Sequence, residues 1–329
     1  MKILIYNAFE DEVEEALRWS KERQVEVAFC PHPLSPSTIH EACGYDGISI
    51  RQGQSIGGEQ IYRQLKQFNI QQISVRSVGY DTVDLVLAKA NGLMITNVPA
   101  YSPYAVAELA VAQALQLTRQ LSLFQARFAK HDFHWHGLVA RELRRLTVGI
   151  VGTGHIGSVA ARLFKSLGAT VIGYDVVPND ELNGVLTYQQ DFKTLLSRAD
   201  IVSLHVPLLS STHHLINEET LNLMKRDAIL INAARGGLVD TAALIQALES
   251  RSIAGAALDV YEDEWFINQD LSGKPFSEPW LTKLMIMDHV LLTPHVGFYT
   301  TTAVHNIVYT GLDNVIDVIQ TGKCANDVS

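Results

Sequence analysis

The sequence predicts an α/β protein built on parallel sheets, and three observations carry that expectation. Short apolar runs alternate with helix-length amphipathic stretches along nearly all of the 329 residues. Hydrophobic residues make up 47% of the chain and charged ones only 19%, which supports the core of one large or two ordinary domains and excludes a disordered chain. No apolar run approaches the roughly 20 residues of a membrane helix.

In chain order, strand-like runs fall at 3–6, 25–29, 47–50, 72–76 and 93–97, with the clearest helical periodicity at 11–21 and 59–68. Tyr101-Ser102-Pro103 then opens an apolar-periodic segment reaching about residue 130, read as one long helix with Ser102 as N-cap and Pro103 as its first residue. A second series starts at Leu146 with six runs: VGIVG, TVIGYD, DIVSLHVP, AILINAA, IAGAALDV and HVLLTP. Six such runs separated by helical lengths suit a doubly wound nucleotide-binding sheet. Residues 302–320 read as a final helix capped near Gly322. A boundary near 100 is expected, with residues 300–329 returning to the first module.

The net charge of -9 comes with scattered Lys and Arg, so no basic face is offered to nucleic acid or to an anionic membrane. The chain opens on the strand-like KILIY, and a soluble cytoplasmic protein is expected. Cys30, Cys43 and Cys324 have no CxxC spacing, which argues against a disulfide framework or a zinc knuckle. His131, His134 and His136 in HDFHWH are read as surface or interface residues, and no metal is expected.

Gly152-x-Gly154-x-x-Gly157 follows the run at 148–151 directly and opens an apolar helix through His155 and Ile156. In that setting the first glycine permits a tight turn, the second lets backbone approach a pyrophosphate, and the third allows close helix–strand contact. Asp175 ends the next run, 18 positions after Gly157, where an acid accepts the hydroxyls of an adenosine ribose. Residues 176–179, Val-Val-Pro-Asn, bring no cation for a 2′-phosphate, so NAD is favoured over NADP. His205, Val206 and Pro207 end one run and Ala233 and Ala234 another, placing their backbone along the same cofactor.

Three polar residues follow successive runs: Arg235 after AILINAA, Glu264 after GAALDVYED and His295 after VLLTP. The carboxyl ends of strands in a doubly wound sheet line one crevice, so such residues converge. Reducing a ketone requires an acid for the forming alkoxide, a task suited to histidine near neutrality, and His295 is the candidate. A carboxylate beside an imidazole favours its protonated form, the role open to Glu264. A guanidinium grips a carboxylate through paired donors, the role of Arg235.

With these residues, the blocks RSVGYDTVDL (76–85), VPAYSP (98–103), HVPL (205–208), NAARGGLVDT (232–241), LDVYEDE (258–264) and TPHVGFYT (293–300) resemble the D-2-hydroxyacid dehydrogenase family, within it the NAD-dependent D-lactate enzymes of fermenting bacteria. The resemblance implies two Rossmann-like domains: a flavodoxin-like substrate domain of residues 1–100 plus 300–329, and a doubly wound NAD-binding domain of residues 101–299. It implies catalysis by Arg235, Glu264 and His295, with Glu264 chosen over Glu262 and Asp263. The amides of Val78 and Gly79 then bind the substrate carboxylate, Tyr101 and Phe298 lie near the substrate, and Asp259 lies near the nicotinamide. A small 2-oxoacid substrate and a homodimer, with the helix after Tyr101 in its interface, are also implied.

One departure concerns the loop after the third strand, where an aromatic residue is common in the D-lactate enzymes and Arg51-Gln52-Gly53-Gln54 stands here. It opens a second reading with larger 2-oxoacids such as 2-oxoisocaproate or phenylpyruvate as substrates. An NAD-sensing corepressor and a phosphoglycerate dehydrogenase are more remote, because peptide-binding additions, regulatory extensions and a phosphate-binding basic cluster are missing from the sequence.

Overall fold

The computed structural model describes residues 1–267 and 269–329, and the chain divides into two units: Met1–Ser102 with Tyr299–Ser329, and Pro103–Phe298. The strands are β1 (Lys2–Tyr6), β2 (Glu26–Cys30), β3 (Gly47–Ile50), β4 (Gln72–Val75), β5 (Met94–Thr96), β6 (Thr147–Val151), β7 (Thr170–Tyr174), β8 (Thr187–Tyr188), β9 (Ile201–Leu204), β10 (Ile229–Asn232), β11 (Gly255–Leu258) and β12 (Val290–Leu292). The α-helices are α1 (Glu10–Arg23), α2 (Glu59–Gln67), α3 (Leu85–Ala90), α4 (Pro103–Thr118), α5 (Leu121–Phe128), α6 (His155–Ser166), α7 (Phe192–Arg198), α8 (Glu218–Leu221), α9 (Thr241–Glu249), α10 (Pro279–Met285) and α11 (Thr301–Thr321).

In the first unit the sheet order is β2-β1-β3-β4-β5, with every neighbouring pair parallel. Strands β3 and β4 are buried at every position, because helices cover both faces and the usual polar alternation disappears. One face packs Ile3 and Ile5 against Ala16 and Trp19 of α1 and Val308, Leu312 and Val315 of α11. That burial, with the Trp19 indole donating to Asp313 at 2.8 Å, explains why the end of the chain returns to the first unit. Thr300 caps the start of α11, and Gly322 ends it in the left-handed region at φ 68.

In the second unit the order is β12-β11-β10-β9-β6-β7-β8, again parallel throughout. Successive residues of β6 serve opposite faces. Val148 and Ile150 pack with Ala107, Ala110 and Ala114 of α4 and Ala160, Ala161 and Phe164 of α6, whereas Val151 packs with Leu195, Leu196, Leu204 and Leu244.

Two expectations are corrected. The sheet has seven strands rather than six, since β8 is a two-residue edge strand too short to carry a periodic signal. The segment from Pro103 is not one helix to residue 130. It breaks at Gln120, which takes φ 54 and donates from Nε2 to the Val139 carbonyl at 2.9 Å. Apolar periodicity runs through both helices and neither Gly nor Pro marks the junction, so the sequence pattern does not show the break. Among the described residues, no helix is long and apolar enough to cross a membrane.

Candidate active site

In the second sheet the chain reverses its direction of winding between β6 and β9, and the crevice beyond the carboxyl ends of those strands is where such sheets take ligands. The glycine-rich turn sits there. Gly152 has φ 90, and a Cβ on it would lie 2.8 Å from the His205 carbonyl; a Cβ on Gly157 would lie 1.9 Å from the Gly152 carbonyl oxygen. Around Gly154 nothing lies within 4 Å of such an atom. Gly154 is also the N-cap of α6 and makes no side-chain cap, so the first-turn amides at His155 and Ile156 face an open approach suited to a pyrophosphate.

Asp175 follows β7. Its Oδ2 accepts from the Thr153 amide at 2.5 Å and the Thr153 hydroxyl at 3.1 Å, while Oδ1 accepts from the Val177 amide at 3.2 Å. Tyr188 donates to Thr153 Oγ1 at 2.9 Å, so the edge strand missed in the sequence braces this carboxylate. A carboxylate so placed, with lone pairs remaining, fits the ribose of NAD.

His205 follows β9, with Val206 and Pro207 after it. Burial pushes its imidazole down to about 4, and its Nε2 pairs with Ser203 Oγ at 2.9 Å. The neutral ring is thus part of the wall under the glycine turn. Ala233 and Ala234 follow β10, where Ala234 N donates to Asn232 Oδ1 at 3.1 Å and Asn232 Nδ2 donates to the Arg235 carbonyl at 2.9 Å. The Arg235 guanidinium is partly exposed, its Nη1 donating to the Ala234 carbonyl at 2.7 Å.

His295 lies beyond β12, and its Nδ1 is 2.7 Å from Glu264 Oε2; the other carboxylate oxygen accepts from the Tyr261 amide at 2.8 Å. Glu262 goes elsewhere, to Thr241 and His214. The two glutamates therefore diverge although one residue separates them. His295 adopts φ 54, a left-handed conformation costing a non-glycine residue roughly 1–3 kcal/mol and concentrated at functional sites. Asp259 holds that turn. It is 1% exposed, its carbonyl accepts from His295 N at 2.7 Å, and its carboxylate accepts from Thr293 Oγ1 (2.5 Å), Val296 N (2.9 Å) and Gly297 N (2.8 Å). The Phe298 ring meets His295 edge-on, with centroids 6.5 Å apart.

Val78, Gly79 and Tyr101 belong to the first unit. The Val78 carbonyl accepts from Asn97 Nδ2 at 2.8 Å, that of Gly79 from Ser77 Oγ at 2.5 Å, and that of Tyr101 from Asn306 Nδ2 at 2.6 Å, which fixes the backbone of each. The loop after β3 is also held. Gln52 Nε2 donates to the Leu34 carbonyl at 2.8 Å, and the Arg51 guanidinium bonds to buried Glu12 while lying 5.0 Å over the Phe9 ring.

Sequence reasoning missed Glu12 and Arg76, each 1% exposed, whose ion pair at 3.4 Å ties down the residue just before Ser77. Burial opposes ionisation of Glu12, yet the Arg76 and Arg51 charges hold its carboxyl below the ordinary range. A charge inside an amphipathic helix is the one sequence signal this pair leaves, and it does not name its partner.

Residues 111–297 match the family described as D-isomer specific 2-hydroxyacid dehydrogenase, NAD binding domain. The whole chain is 43% identical to a D-2-hydroxyacid dehydrogenase (NAD(+)) of Clostridioides difficile, covering 100% of both. It is 47% identical to a D-lactate dehydrogenase of a Sporolactobacillus species, with a TM-score of 0.86 over 100% of this chain and 99% of that one. A D-2-hydroxyisocaproate dehydrogenase structure matches with a TM-score of 0.92 at 36% identity, over 100% and 99% of the two chains. With its glycine-rich turn, an acid after β7 and a histidine–glutamate pair beyond β12 of the same sheet, the chain belongs to the NAD-dependent D-isomer-specific 2-hydroxyacid dehydrogenases.

Proposed function

We propose that this enzyme is a D-lactate dehydrogenase, reducing pyruvate to D-lactate and running in reverse. The observation that carries the reading is the 2.7 Å contact between His295 Nδ1 and Glu264 in the unit that holds the cofactor turn. The turn at Gly152, Gly154 and Gly157 and the Asp175 carboxylate would hold NADH, which when bound would supply the hydride. With Nδ1 committed to Glu264, Nε2 of His295 is the atom that gives a proton to the ketone oxygen and retrieves it in the reverse direction. Arg235 grips the substrate carboxylate and polarises the carbonyl. Asp259 acts through the turn it holds, keeping the His295 ring in place.

Residues 1–100 with 300–329 form the substrate domain in this reading and residues 101–299 the NAD domain. The Val78 and Gly79 amides serve the substrate carboxylate, and Tyr101 and Phe298 its side chain. The protein works in the cytoplasm as a homodimer, which Phe128, Phe133, Trp135 and Val139 support by exposing apolar surface within one short stretch.

The second reading, a preference for larger 2-oxoacids, rests on Gln52, whose side chain is tied to Leu34 and leaves no aromatic lid at that loop. Steady-state kinetics with pyruvate, 2-oxoisocaproate and phenylpyruvate separates the two. Pyruvate is expected to lead, giving a product that only a D-specific enzyme reoxidises. If a larger oxoacid exceeds pyruvate more than about tenfold in kcat/KM, a difference of about 1.4 kcal/mol, the lactate reading fails while the family stands.

A further inference from the structure

We propose that His213, His214 and Glu262 form a binding site for a divalent transition-metal ion of the zinc class, separate from the NAD and substrate machinery. Two imidazoles and one carboxylate are the donor set chosen by zinc, cobalt, nickel or copper over magnesium or calcium. Their ligand atoms lie within 4.8 Å of one another, close enough to surround one ion.

The three come from two loops that are already braced. His214 takes φ 49, and its amide donates to the Gly237 carbonyl at 2.8 Å. The two imidazole rings stack with centroids 4.0 Å apart. Thr241 holds one oxygen of Glu262 through its amide, at 3.0 Å, and its hydroxyl, leaving the other oxygen 2.7 Å from His214 Nε2. Asp240 lies 3.9 Å from the second nitrogen of His214, the place where a carboxylate supports a ligating histidine. His213 and Glu262 are exposed, so an ion has an entry path and room to keep water.

A hydrogen bond between His214 and Glu262 serving structure alone gives His213 no part, and His213 is therefore the discriminating residue. Occupation also bears on turnover in the reading proposed above. Glu262 stands two residues before Glu264, and Gly237 stands two residues after Arg235, so an ion joining these loops stiffens both segments and lowers kcat.

The test titrates the tag-free full chain with cobalt(II), followed by its visible absorption and then by displacement with zinc. This readout does not involve turnover, so it stands apart from the substrate assignment. One saturable ion per chain is expected, weakened about tenfold or more by His213→Ala and by Glu262→Gln. It should persist when His134 and His136 are both changed to Ala, and a chelator should reverse zinc inhibition in the parent. The proposal is overturned if the parent shows no saturable binding, if either single variant binds as tightly as the parent, or if the His134/His136 variant loses the ion.

Discussion

His295 is held by three neighbours at once: Glu264 at its ring, the Asp259 carbonyl at its amide, and the Phe298 ring at its edge. A residue kept in a left-handed conformation by so many contacts contributes geometry as well as a proton. His295→Ala should therefore lower kcat roughly 10²-fold or more in both directions, as stopped-flow or steady-state assays would read. A loss confined to KM would remove His295 from proton transfer. Asp175 acts at the same scale through charge. Its carboxylate repels a 2′-phosphate and residues 176–179 bring no cation to compensate, so NADH should be preferred over NADPH by at least about tenfold in kcat/KM. Asp175→Ala should narrow that ratio, and an unchanged ratio would reassign the selectivity.

At the scale of single elements, β9 delivers His205 to a partly buried position where desolvation holds its imidazole down to about 4. Below the usual histidine value of about 6.5 the unfolded chain takes up a proton that the folded chain refuses. Stability is thus lost as the pH falls from about 6.5 towards about 4, by on the order of 1 kcal/mol per pH unit. His205→Gln should flatten urea-unfolding midpoints between pH 7 and pH 5; an equal slope in parent and variant would count against this origin. Helix α1 delivers Glu12 to Arg76 and Arg51. Glu12→Gln would leave the Arg76 guanidinium buried without a counter-charge, and a loss of about 3–5 kcal/mol is expected in chemical denaturation. Less than 1 kcal/mol lost would show that water or the Tyr6 carbonyl, 2.9 Å from Arg76 Nη2, carries the charge instead.

For the whole molecule, the exposed apolar stretch after α5 is the feature a lone chain does not explain. Phe133 is 63% and Trp135 72% exposed, and Phe128 stacks edge-on against Phe133 with centroids 5.0 Å apart. Changing Phe133 and Trp135 together to Ser should shift the sedimenting species from dimer to monomer. A parent already monomeric, or a variant still dimeric, would take this stretch out of the interface.

The sequence by itself determined the fold class, because parallel strands buried on both faces leave continuous apolar runs and the helices between them leave a different period. It also determined the cofactor, since the glycine spacing and the acid after β7 are local features read within one βαβ unit. The C-terminal helix was legible over 302–320 with its cap at Gly322, and the structure extends it to Thr301–Thr321 and adds Thr300 as its N-cap. Tertiary structure decided what depends on distant partners. The break at Gln120 rests on a bond to Val139, and the brace on Asp175 rests on an edge strand of two residues. In the run Glu262-Asp263-Glu264, composition is the same on either side of Asp263, and only the packing of β11 beside β12 sends one glutamate to His295 and the other to His214 and Thr241. Side chains of one type within three residues carry no local signal that separates them, so their division of labour is set by which strand ends the sheet brings together.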